Sequence, residues 1–308
     1  MIRIGTRGSQ LALQQAALVQ EALKRADSQM EAELVVLHTR GDQIQDRPLA
    51  KIGDKGVFAS EFEPALLKGE IDLAVHSAKD LPVKLMDGLV ITAVLPRADV
   101  RDVLVVPAGG SIPGNTPRLF RIGTGSRRRQ MLAGQMWENC ICTDIRGNVD
   151  TRLRKLQEGG YDGIILAKAG LDRLGIGFGQ ESAFDFYPLP PEQFLPAACQ
   201  GIIAVEAVQG SAAAKMCEKI TDKETEMAFA VEREVLTQLS ADCSEAVAAW
   251  CRKVCAADKQ CQEAMRAADK LLLDVMYAGN RVRLTCQVNA EEGIRLARQA
   301  AKMVKETS

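Results

Sequence analysis

Residues 122–130 read I-G-T-G-S-R-R-R-Q: an apolar strand end, a turn of glycines and small hydroxyls, then three consecutive arginines. The arginines open a run of good helix formers, R-R-R-Q-M-L-A-G-Q-M. A helix N-terminus already carries unpaired N–H groups with partial positive charge, so cations are badly placed there. Arg127, Arg128 and Arg129 therefore either point into solvent or answer an anion. A strand feeding a helix through such a turn is the building unit of an α/β protein, and the same unit recurs on both sides of it.

Working outward, short apolar runs predict strands at Arg3–Thr6, Glu33–His38, Asp72–His76, Leu89–Val94, Val103–Val106, Arg121–Thr124, Cys142–Ile145, Gly163–Ala167 and Ile202–Ala207. Helical spacing fits Gln10–Arg25, Ala59–Lys68, Arg128–Trp137, Val149–Glu158 and Ala169–Leu174. The alternation predicts mostly parallel pairing. Two stretches rich in Gly and Pro, Val106–Pro117 and Tyr187–Pro196, read as loops. One compact α/β unit thus sits inside another, with expected boundaries at 1–95 plus 196–210 and at 96–195. The remainder, 211–308, has a different character: helices at Lys215–Leu239 and Ser244–Lys270, a hairpin of Leu271–Met276 with Arg281–Val288, and a closing helix at Glu291–Lys305. The expected class is two α/β domains followed by a smaller α+β domain.

The 308 residues carry a net charge of −1 and are 47% hydrophobic. With a pI near 6.2, bulk nucleic-acid binding is not expected, because that shows as a basic domain. Met1 leads straight into I-R-I-G with no basic-then-apolar signal segment, and no apolar run is long enough to cross a bilayer. The expected location is cytoplasmic. Nine cysteines without disulfide-scaffold spacing fit reduced thiols.

Basic residues gather at one address, the carboxyl ends of the strands: Arg7, Arg40, Lys79, the three arginines and Arg146. That is where the ligand crevice of an open α/β sheet lies. Ser9, Thr124 and Ser126 are placed to cap helices or to donate to an anion. One arginine alone is a solvated charge; five strand ends of one sign point to a carboxylate or phosphate ligand clamped by guanidinium forks. In A-V-H-S-A-K-D-L-P, Asp80 is either a plain turn residue or a carboxylate that moves a proton or stabilises a cation. Lys51 and Lys55, among glycines in L-A-K-I-G-D-K-G-V-F, read as a lid or as a surface turn. Phosphate-loop patterns are absent. Zinc is disfavoured, since Cys140/Cys142 have strand spacing and Cys251/Cys255 helical i, i+4 spacing, so buried thiols and no metal are expected.

Taken together, T-R-G-S-Q-L-A, V-V-L-H-T-R-G-D, P-L-A-K-I-G-D-K-G-V-F, D-L-A-V-H-S-A-K-D-L-P, I-G-T-G-S-R-R-R-Q, I-R-G-N-V-D-T-R-L-R-K-L, Y-D-G-I-I-L-A-K-A-G-L-D-R-L-G and L-P-A-A-C-Q-G resemble the porphobilinogen deaminase (hydroxymethylbilane synthase) family, in order, over residues 1 to about 207. The resemblance implies two periplasmic-binding-protein-like (type II) α/β domains and a third that carries a cofactor cysteine. It implies a transferase of tetrapyrrole and haem biosynthesis that condenses four porphobilinogens head to tail with release of ammonia. The chain grows on a dipyrromethane held by a thioether, here to Cys243.

Asp80 is then the catalytic carboxylate, and Lys79, Asp80, Thr124, Ser126, Arg128, Arg129, Arg146 and Gln200 hold the cofactor. Arg7, Ser9, Arg146, Arg152 and Arg173 hold substrate, and Lys51 and Lys55 belong to a flexible loop. A monomer, and hand-over of product to uroporphyrinogen-III synthase, are implied as well. The chain departs from the family pattern at Gly125 and Arg127, and after Cys243, where Cys251, Cys255 and Cys261 follow. The alternative is a non-catalytic or degenerate protein that binds carboxylates or pyrroles with the same clamp.

Overall fold

The computed structural model describes residues 1–37, 61–115, 117–177, 182–241, 245–254 and 269–307. Strand β1 (Ile2–Arg7) runs into helix α1 (Gln10–Ala26), whose first turn is closed by the Ser9 hydroxyl accepting from the Ala12 N–H at 3.3 Å. Strand β2 (Ala32–Leu37), helix α2 (Phe62–Leu67), strand β3 (Leu73–Ser77) and strand β4 (Leu89–Val94) follow.

The chain then crosses into a second sheet. Its elements are β5 (Asp102–Pro107), β6 (Phe120–Gly123), α3 (Arg127–Met136), β7 (Cys140–Thr143), α4 (Val149–Gln157), β8 (Gly163–Ala167), α5 (Lys168–Arg173) and β9 (Phe184–Pro188). Their spatial order is β7-β6-β8-β5-β9. The chain returns as β10 (Ile203–Val208), which completes the first sheet in the order β2-β1-β3-β10-β4.

The α/β class stands, but pairing is mixed rather than mostly parallel. β10 lies antiparallel to β3 and β4, and β5 antiparallel to β8 and β9. The cause is the double crossing: the strand that arrives from the other sheet enters from the opposite end. The two crossings run side by side and are tied together, Leu95 N–H to Ile203 C=O at 3.1 Å and Ala98 N–H to Gly201 C=O at 3.1 Å. Gly201 has φ +89°, and a Cβ there would stand 2.6 Å from the Ala98 carbonyl oxygen, so this approach requires glycine.

The last part has helices α6 (Ala212–Cys217) and α7 (Lys223–Leu239), an antiparallel sheet β11 (Val247–Val254), β12 (Lys270–Tyr277) and β13 (Asn280–Gln287), and helix α8 (Ala290–Glu306). Two expectations are corrected here. Lys215–Leu239 is not one helix, because Asp222 starts a new one by capping the Thr225 N–H at 2.8 Å. Ser244–Lys270 is not helical over Val247–Val254, which pairs residue by residue with β12. Alanine-rich composition favoured helix there, and burial between β12 and α7 overrode it. Cys251 is therefore a buried strand residue, not one member of a helical i, i+4 pair. A third correction is β9, which carries extended pairing as far as Pro188, inside the stretch read as loop. The fourth is β7, which ends at Thr143 rather than Ile145.

α7 and α8 pack across the inner face of this small sheet, burying Val231, Val235, Ala297, Ala300 and Val304 against Ala249, Leu271, Leu273 and Val275. The helices approach so closely at Gly293 that a Cβ would meet Val231 Cγ2 at 2.7 Å.

Candidate functional site

Two strand ends and the crossing segment converge. β3 ends at Ser77 and passes into a single 3-10 turn, Ala78–Asp80, pinned where the Ala78 N–H donates to the Ile202 carbonyl at 3.0 Å. The turn leaves Lys79 half-buried and Asp80 exposed. Opposite, Ser126 caps α3 by accepting from the Arg129 N–H at 3.4 Å, and Thr124, almost fully buried, accepts from the Ser126 N–H at 3.3 Å.

The three arginines divide as their positions on the helix dictate. Arg127 is exposed. Arg128 and Arg129 turn inward and are buried, and the anion they meet is Asp102, at the head of β5 and fully buried. Arg128 Nη1 donates to Asp102 Oδ2 at 2.8 Å and to the Leu195 carbonyl at 2.7 Å. Arg129 donates to Asp102 Oδ1 from Nη2 at 2.7 Å and from Nε at 3.1 Å, and from Nη1 to the Ile165 carbonyl at 2.7 Å. Burial pushes the Asp102 carboxyl up, but Arg128 and Arg129 outweigh it and hold it well below the usual range. Arg128 Nε is buried without a hydrogen-bond partner.

Gln200, fully buried, joins the halves. Its Nε2 donates to Asp102 Oδ1 at 3.1 Å and to the Val100 carbonyl at 2.8 Å, while its Oε1 accepts from Lys79 Nζ at 3.4 Å. Desolvation lowers Lys79 to about 8, with Arg129 and Arg128 pushing the same way and Asp80 and Asp102 opposing. Arg152 is lowered to about 10 by burial and by the nearby Arg129 and Arg146, with Asp80 acting in the other direction. Burial likewise lowers Arg173 to about 10, and its Nη2 donates to the Gly201 carbonyl at 2.7 Å. Cations crowded together out of water are disfavoured as charged species, and within this cluster Asp102 answers Arg128 and Arg129.

Of the residues expected from sequence, Lys79, Asp80, Gln200, Arg128, Arg129, Arg146 and Arg152 form one electrostatic neighbourhood, with Arg173 on the far side of the crossing. Arg7 and Ser9 stand at the end of β1, where Ser9 acts as the cap of α1. Arg146 Nε donates to Asp144 Oδ2 at 2.9 Å, and Asp144 Oδ1 fills the space a side chain at Gly125 would take, 2.7 Å from that Cβ position. Cys243, Lys51, Lys55 and Arg40 lie outside the described residues.

Sequence reasoning missed Asp102 and a second buried ion pair. Arg97 meets Glu232 of α7 at 2.6 Å and donates from Nε to the Gln200 carbonyl at 2.9 Å. Glu232 in turn accepts from the Cys199 and Cys251 N–H groups, at 2.5 and 2.7 Å. The available signal was a carboxylate at the head of an apolar run, R-D-V-L-V-V.

A family model described as porphobilinogen deaminase, dipyromethane cofactor binding domain, matches residues 2–216. The chain is 41% identical over 254 residues to a porphobilinogen deaminase of Streptococcus sanguinis, covering 82% of each chain. It is 44% identical over 248 residues to one of Syntrophomonas wolfei, covering 80% of this chain and 79% of the relative. Among solved structures it is similar to the periplasmic VFT2 domain of Bordetella pertussis BvgS, with a TM-score of 0.43 and 12% identity, over 74% of this chain and 91% of that one. The match over residues 2–216, with relatives above 40% identical across four fifths of their length, means that the chain belongs to the porphobilinogen deaminase family.

Proposed function

We propose that the chain condenses four porphobilinogen molecules head to tail into hydroxymethylbilane, releasing ammonia, with Asp80 as the catalytic carboxylate. The feature that supports the assignment of residues is the cluster of cations where the two large sheets meet, Lys79, Arg128, Arg129 and Arg152, gathered around Gln200 and Asp102. Porphobilinogen and its oligomers are polycarboxylates, the anion such a cluster takes. A dipyrromethane, when joined by a thioether to Cys243, supplies the primer on which the chain is extended. The residues present fit that group: Arg128 Nε is buried and lacks an acceptor, a position that a ligand carboxylate would satisfy.

Lys79, Thr124, Ser126, Arg128, Arg129, Arg146 and Gln200 hold the cofactor side chains, and Arg7, Ser9, Arg146, Arg152 and Arg173 those of substrate. Asp80, exposed on a rigid turn, accepts pyrrole N–H groups and stabilises the positive charge that develops as the amine leaves. Lys51 and Lys55 belong to the motif P-L-A-K-I-G-D-K-G-V-F, outside the described residues. The proposal includes three domains, at 1–95 with 196–210, 96–195 and 211–308, in a cytoplasmic monomer that passes its product to uroporphyrinogen-III synthase. The binding-only alternative leaves Asp80 and Cys243 without a task.

Intact mass under denaturing conditions, with peptide mapping, tests this. A dipyrromethane increment on Cys243 and turnover of porphobilinogen are expected. A protein that shows neither adduct nor turnover after incubation with porphobilinogen would overturn the proposal.

A further inference from the structure

Away from the crevice, β7 is an edge strand of the second sheet and carries two cysteines in C-I-C. Residues two apart on a strand point to one face, and Cys140 and Cys142 stand opposite Phe120 and Ile122, which are buried in the core beneath α3. Both thiols are half-buried at the rim of that core, and they share a hydrogen bond. Cys140 Sγ also donates to the Ala133 carbonyl of α3 at 3.5 Å. Two thioethers, Met131 and Met136, pack on the same flank. Four soft sulfur side chains thus border one core, and the proposed function uses none of them.

We propose that Cys140 and Cys142 form a site for a soft, two-coordinate cation of the Cu(I) class. Three physical comparisons select that class. A strand rises about 3.3 Å per residue, so the two Cα atoms stand about 6.6 Å apart, at the upper end of the range a disulfide spans. A sulfur–sulfur bond of about 2.0 Å would pucker the strand, whereas two metal–thiolate bonds of about 2.3 Å each join the thiols without drawing the sulfurs into bonding contact. Zinc needs four ligands, and among the described residues no group of three or more His, Cys, Asp or Glu side chains could hold a metal. Thiolate and thioether donors favour Cu(I) over harder ions.

Burial and the neighbouring Cys140 push the Cys142 thiol up to about 11, and burial also raises Cys140, so both enter as thiols. Binding breaks two S–H bonds, forms two S–Cu bonds and releases two protons to solvent. No electrons are transferred.

The two cysteines fall on one tryptic peptide, Gln130–Arg146, which makes the test direct. The purified full-length protein, with and without Cu(I) held in a weak chelator under anaerobic conditions, is alkylated with iodoacetamide, digested and mapped. Cu(I) should slow alkylation of Cys140 and Cys142 together at least tenfold. Cys286, a half-buried thiol alone on β13, should alkylate at an unchanged rate. Protection of Cys140 should vanish in Cys142→Ser or, if that variant is misfolded by circular dichroism, in Cys142→Ala. Equal alkylation of wild type with and without Cu(I), or protection of Cys140 that survives loss of Cys142, would overturn the proposal. Wild type alone decides the first outcome.

Discussion

Asp102 and Arg129 are joined by two hydrogen bonds, at 2.7 and 3.1 Å, and both side chains are buried. Arg128 shares the same carboxylate. Removing one partner from such a buried set leaves uncompensated charge, which costs about 3–5 kcal/mol. Asp102→Asn is therefore expected to lose stability of that order in urea unfolding. It should also lower the Lys79 value further, since Asp102 is one of the two anions that raise it. A variant as stable as the wild type would mean that the arginines do not depend on Asp102.

Lys79 gives the site a pH dependence. Its value of about 8 in the folded protein lies below the ordinary 10.5. Between those values the unfolded chain binds more protons than the folded one, so stability rises with pH through that window. Carboxylate binding moves the other way, because it needs the ammonium. With the cofactor carboxylate held less firmly, kcat is therefore expected to fall as pH passes about 8, and Lys79→Arg, which stays charged, should abolish that limb. An unchanged alkaline limb in Lys79→Arg would remove Lys79 from carboxylate recognition.

Arg128 and Arg146 are both cofactor-binding candidates, yet their surroundings differ. Arg128→Leu strands half of Asp102 and should destabilise by several kcal/mol. Arg146 pairs with a largely exposed Asp144, a contact worth less than about 1 kcal/mol. Arg146→Leu should therefore keep its melting temperature while KM for porphobilinogen rises. Conversely, Asp144→Asn should free Arg146 and lower KM with kcat little changed. If KM fails to move in either variant, Arg146 does not meet substrate.

Asp80 is exposed and lies outside the core. Asp80→Asn should retain fold and covalent adduct while turnover drops by about 10²–10⁴, the range for loss of a positioned acid or base. Turnover at the wild-type rate would exclude Asp80 from the chemistry.

Strand–turn–helix units were legible in the sequence because their hydrophobic period and capping residues are local, as with Ser9 and Ser126. The burial of Arg128 and Arg129 was not, since their counterion sits 26 and 27 residues away on another strand. The same applies to β11, whose alanines take strand form only because β12 lies beside them. Gln200 was found through its motif; its reach to both Lys79 and Asp102 is visible only in three dimensions.

The two tied crossings between the large sheets behave mechanically as a ribbon rather than a thread. Arg97 stiffens it further by gripping the Gln200 carbonyl and, through Glu232, the small C-terminal unit. The two sheets are thus joined by a paired connection, held at the Ile203, Gly201 and Gln200 carbonyls, rather than by one unsupported chain.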